Sequence, residues 1–179
     1  MKITILTTGG TIDKTYDEHA GSLRNERTVL DTILKSLRLP DLFIRHVAVM
    51  SKDSLEMVDA DRELILREVR AALPVSDAII IVHGTDTLSK TGECIYQNIQ
   101  DSTIPIILTG AMRPYEFRDS DALQNITEAL FAAKVASPGI YAVMHNRLLP
   151  FPGVVKDRTS LTFRTQEEIE KISTNETKA

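Results

Sequence analysis

Ala78-Ile79-Ile80-Ile81-Val82-His83-Gly84-Thr85-Asp86-Thr87 joins a run that is apolar at every position to a turn of hydroxyl and acidic residues. A strand with one wet face alternates apolar and polar side chains, so an uninterrupted run belongs inside a sheet covered on both faces. Working outward, Lys2 to Thr8, Leu42 to Val49, Ile104 to Thr109 and Ile140 to Met144 read as further strands. The segments between them carry a helical period. Val29, Ile33, Leu34 and Leu37 lead to Pro40, and Leu64, Ile65, Val69 and Leu73 lead to Pro74. A shorter helix is expected over Thr91 to Ile99, and another through Leu123, Ile126, Ala129, Leu130 and Ala133, broken by Ser137-Pro138-Gly139. This alternation predicts an α/β fold in three layers, a mostly parallel open sheet with helices on both faces, of the Rossmann or flavodoxin kind. Residues 1–165 read as one domain, and 166–179 as a short helix or frayed tail.

Composition narrows the function. With 179 residues, 42% hydrophobic and 26% charged, the chain has the make-up of an ordinary globular protein. A net charge of −4 offers no basic excess for a nucleic acid backbone. A lone Cys94 and four scattered histidines give no zinc spacing, and Asp13, Asp17, Glu18, His19 and Glu26 read as solvating charges rather than metal ligands. No cofactor and no metal are expected. The short apolar start predicts a first strand rather than a leader or a membrane span, hence a cytoplasmic protein.

In an open parallel sheet the loops leaving the carboxyl ends of the strands gather on one edge, where chemistry collects. Two such loops are polar: Thr8-Gly9-Gly10-Thr11-Ile12 and His83-Gly84-Thr85-Asp86-Thr87. Taken alone, the first is a Gly-Gly turn whose Thr11 caps a local amide. The second has the make-up of a helix N-cap, expected at Thr87. One cap is enough, however, which leaves Thr85 and Asp86 without that explanation. His83 reads as a buried structural histidine.

At these turns the sequence resembles the bacterial-type L-asparaginases, whose TGGTI and HGTDT signatures both stand intact. Gly110-Ala111-Met112-Arg113-Pro114, followed by Asp121 and Asn125, matches a third segment of that family. The resemblance runs over roughly 1–163 and implies an amidohydrolase that converts L-asparagine, and L-glutamine less well, to the acid and ammonia. It implies Thr11 as nucleophile, attacking the side-chain amide to form a β-aspartyl acyl-enzyme that water hydrolyses. It further implies Thr85 with Lys156 as an activating pair, and Asp86 at the substrate's α-ammonium. Ser51 and Lys52 fall at the α-carboxylate grip, Lys52 standing where many members carry glutamine. Backbone near Gly10 and at Thr85, with Gly84 and Ala111 also at the substrate, would face the amide oxygen. Ile12 to Arg27 resembles the family's mobile lid, with Tyr16 in place of the lid tyrosine.

Typical members continue into a second domain that lends acidic groups to the site of a neighbouring protomer. The chain is therefore similar to short-chain asparaginases that keep only the amino-terminal domain. A homodimer or higher homo-oligomer is expected, with Glu116 or Asp119 of a partner standing in for the missing carboxylate. Two other readings fit the same fold: a non-catalytic aspartate- or asparagine-binding module, and an α/β interaction protein that docks a partner through its loops.

Overall fold

The computed structural model describes residues 1–25 and 28–176; Glu26, Arg27 and 177–179 lie outside the described residues. The chain opens with β1 (Lys2–Gly9), then the hairpin β2 (Lys14–Asp17) and β3 (Ser22–Asn25), then α1 (Leu30–Ser36) and β4 (Phe43–Lys52). There follow α2 (Asp59–Ala72), β5 (Ala78–Val82), α3 (Leu88–Asn98), β6 (Pro105–Thr109) and α4 (Ala122–Val135). The last elements are β7 (Gly139–Met144), β8 (Arg147–Pro150), β9 (Val154–Asp157), β10 (Thr162–Thr165) and α5 (Gln166–Glu176).

The main sheet has the order β4-β1-β5-β6-β7-β8, parallel throughout except for the β7–β8 hairpin. Every residue of β5 and β6 is buried, as their apolar runs require. Alternate side chains of β5 feed two cores. Ile79 and Ile81 pack with Ile65, Leu66 and Val69 of α2 and Leu88 and Ile95 of α3. Ile80 and Val82 pack with Leu30 and Ile33 of α1 and Ile126, Ala129 and Leu130 of α4. Fully burying each such isoleucine contributes about 2 kcal/mol, so two filled faces, not strand propensity, hold β5 at the centre.

This is the expected three-layer α/β architecture. The short strands β2, β3, β8, β9 and β10 are not legible in the sequence, because four residues are too few to show a period. β8 is an edge strand of the main sheet, and β9–β10 is a separate antiparallel pair. β2–β3 forms a hairpin where a long polar loop is expected, closed by Gly21 with φ 62°. The helix expected from Thr91 begins at Leu88, and Thr91 is buried within it.

From β1 the chain passes first to β4 on one side and then to β5 on the other. The strand order thus reverses between β1 and β5, and it is beyond the carboxyl ends at such a reversal that open α/β sheets bind their ligands. The two polar turns leave from these two strands.

Candidate active site

Gly9 and Gly10 have φ of 90° and 91°, a region that side chains with a Cβ avoid. The conformation turns the chain out of β1 and brings Gly10 against the turn after β5. A Cβ on Gly10 would stand 2.4 Å from Gly84 Cα, so the two backbones touch. Similarly, a Cβ on Gly9 would stand 2.6 Å from Lys52 N, and one on Gly110 would stand 2.2 Å from His83 O. Glycine at these positions lets the turns after β1, β4, β5 and β6 close on one another. Thr8 Oγ1 adds a stitch by donating to Val82 O at 3.1 Å.

Thr11 begins a 3-10 turn, Thr11–Asp13, immediately beyond this contact and is half-buried. Thr85 is buried beside Gly84, and its hydroxyl accepts a hydrogen bond from Lys156 Nζ at 2.8 Å. The same ammonium donates to Asp86 Oδ1 at 3.0 Å, and the Lys156 side chain is only 14% exposed. That rules out a solvated surface lysine. Arg158 adds a second cation to Asp86, its Nη2 at 3.2 Å from Oδ1. Arg158 stands just past the end of β9, in the turn to β10, where no strand period announces its side.

His83 forms the floor. It is fully buried, its Nδ1 lies 2.8 Å from Gly84 O and its Nε2 lies 2.9 Å from Thr91 Oγ1. A carbonyl only accepts, so Nδ1 carries the proton and Nε2 receives the Thr91 hydroxyl. Burial drives the imidazole pKa down to about 4, which keeps it neutral. Thr87 does not cap α3 with its side chain. Its hydroxyl donates to Ser54 O at 2.8 Å instead, fastening the turn after β5 to the one after β4.

Other residues singled out in the sequence lie differently. Ala111 is buried at the start of the loop after β6, and Ser51 is exposed near the end of β4. Lys52, expected in the carboxylate grip, is instead committed to Asp61 at the start of α2, with 2.8 and 2.9 Å contacts to its two oxygens. Tyr16 is 59% exposed on β2, so its ring is not folded over the turns. Asp13 is no solvating charge: it is buried and accepts the Val29 amide at 2.9 Å. Burial raises its pKa against that hydrogen bond. Asp17 also has local work, accepting the amides of His19 and Ala20. Glu26 and Arg27 fall outside the described residues.

Sequence reading missed the fastenings of the hairpin. Lys14 Nζ lies 2.6 Å from Asp53 Oδ2, and the Tyr16 amide donates to Glu116 Oε2 at 2.9 Å. Burial pushes the Asp53 carboxyl up, but the Lys14 ammonium and the Leu55 amide outweigh it and hold it below the usual value. Glu116, expected to serve a neighbouring protomer, is thus engaged within its own chain, and Asp119 pairs with Arg113. No group of three or more acidic, histidine or cysteine residues that would hold a metal occurs among the described residues.

Residues 2–177 match the family model for the asparaginase N-terminal domain. The chain belongs to the asparaginase family. It is 32% identical over 149 residues to an L-asparaginase of Thermococcus kodakarensis, covering 83% of this chain and 45% of that protein. It is 33% identical over 151 residues to a glutamyl-tRNA(Gln) amidotransferase subunit of Methanococcus vannielii, covering 82% of this chain and 34% of that protein. The solved thermostable L-asparaginase from Thermococcus kodakarensis superposes with a TM-score of 0.84 at 31% identity, over 92% of this chain and 51% of the other. The chain therefore spans about half the length, or less, of the relatives it matches. No described helix is long and apolar enough to cross a membrane.

Proposed function

We propose that this chain is an amidohydrolase that releases ammonia from L-asparagine, and from L-glutamine less well. Thr11 is the nucleophile: its hydroxyl attacks the side-chain amide carbon, and its proton leaves with the ammonia. Water then hydrolyses the β-aspartyl ester and restores Thr11. Lys156 and Thr85 supply the proton relay, and Lys156 must give up a proton before it draws on the Thr85 hydroxyl. Asp86 receives the substrate's α-ammonium, and backbone at Gly10 and Gly84 with Ala111 surrounds the developing oxyanion. Ser51 grips the α-carboxylate; Lys52 is left out because Asp61 holds it. Tyr16 joins only if the hairpin closes.

The observation that carries this reading is the 2.8 Å contact of Lys156 Nζ with the buried Thr85 hydroxyl, on the turn that packs against the Gly10 backbone beside Thr11. A binding module needs Asp86 and Ser51 but has no use for a second hydroxyl backed by an amine. The similarity to an amidotransferase component supports a second reading, in which a partner consumes the ammonia. A cytoplasmic homodimer or higher homo-oligomer completes the proposal, supported by the exposed Phe131 and Val135 on α4.

Ammonia release from asparagine tests it, with Thr11→Ala and Thr85→Val beside the wild type and aspartate binding followed by calorimetry. A loss of about a hundredfold or more is expected for either variant. Aspartate binding without turnover by the wild type leaves the binding module, and neither leaves the interaction protein.

A further inference from the structure

We propose that His145 is a positioning residue that couples the two walls of this site, the loop carrying Ala111 and the strand carrying Lys156. His145 and Asn146 form the two-residue turn between β7 and β8, with φ of 54° and 59°. Both residues lie in the left-handed region, which asparagine and histidine adopt more readily than most side chains. The turn aims the imidazole at two partners. His145 Nε2 lies 2.8 Å from Asp121 Oδ2, and Nδ1 lies 3.1 Å from Thr162 Oγ1.

Each contact leads to one wall. The Asp121 carboxylate accepts the amides of Met112 and Arg113, each at 3.0 Å, and so fixes the loop that begins at Gly110-Ala111. Burial works against this carboxylate, yet these amides, His145 and Asn125 hold its pKa below the usual value, so it accepts and the imidazole Nε2 donates. Nδ1 meets the Thr162 hydroxyl on the other side of the ring. Thr162 begins β10, whose next residue, Phe163, pairs with Lys156 on β9. The buried Asn125 reinforces the joint: its Nδ2 donates to Gly110 O and its Oδ1 accepts the His145 amide. One imidazole therefore bridges the Ala111 loop and the lysine strand, two segments joined by no ladder of the main sheet.

The inference rests on the reading above for its kinetic consequence, but the bridge is testable without it. His145→Asn keeps a residue suited to the turn and is too short to span both partners, and Thr162→Val cuts one arm alone. With asparagine, kcat should fall about tenfold in His145→Asn while KM stays within about threefold, since displaced catalytic groups lower the rate more than ground-state binding. Thr162→Val should lower kcat similarly, and the double variant should be no worse than His145→Asn. Hydrogen exchange on the same proteins should quicken at Met112, Arg113 and the β9 amides in His145→Asn, and at β9 alone in Thr162→Val. Unchanged exchange at these amides in His145→Asn overturns the bridge. A wild type without turnover overturns the hydrolase reading and leaves the exchange result to decide the bridge. Additive losses in the double variant also count against it.

Discussion

Lys156 Nζ meets the Thr85 hydroxyl at 2.8 Å across 71 positions of chain, reaching it from a strand outside the main sheet. Asp86 shares the ammonium, so the lysine serves a hydroxyl and a carboxylate at once. Lys156→Met keeps the stem and removes the amine. We expect kcat for asparagine to fall about a hundredfold, the usual scale for losing an acid–base group, with the fold intact by circular dichroism. Full activity in this variant removes the lysine from the mechanism.

Arg158 predicts a different kinetic signature. Its side chain is 70% exposed, yet its Nη2 lies 3.2 Å from the carboxylate assigned to the substrate's ammonium. An exposed ion pair of this kind is weak, worth no more than about 1 kcal/mol, so a ligand displaces it at small cost. In Arg158→Gln the carboxylate loses the guanidinium and keeps the Lys156 ammonium, and KM for asparagine should fall by up to about fivefold while kcat holds. A rise in KM would instead mean that the guanidinium holds the substrate.

What the sequence made legible divides along physical lines. β5, β6 and the helices packed on them are readable because both cores are written in local periodicity, Ile79 and Ile81 for one and Ile80 and Val82 for the other. The two turns are readable because Gly10 and Gly84 sit where no Cβ fits. What is hidden depends on partners distant in the chain. Nothing near Lys52 announces that Asp61 holds it, and nothing near Thr87 announces that its hydroxyl serves Ser54 rather than α3. His145 is invisible for the same reason: Asp121 and Thr162 lie on different elements, and the left-handed φ that marks the residue appears only in three dimensions.

His83 carries a pH dependence whose sign is fixed by its burial. Burial lowers its folded pKa to about 4, against about 6.5 for an unperturbed imidazole. Between these values the unfolded chain takes up a proton that the folded chain refuses, so stability falls as pH falls from about 6.5 towards 4 and levels below that. The full loss is about 3 kcal/mol, and the slope approaches about 1.4 kcal/mol per pH unit. Asp53 and Asp121, held below the usual value, give up their contributions only as pH drops below about 4. Asp13, raised by burial, acts above that value and with the opposite sign, but equally in wild type and in a histidine variant. Comparing the two proteins over the interval from about pH 6.5 to about pH 5 therefore reads the histidine. Urea unfolding across it should show the slope in the wild type and lose it in His83→Gln, which keeps an amide to donate to Gly84 O but cannot titrate. A slope that survives the substitution would assign the effect to another group.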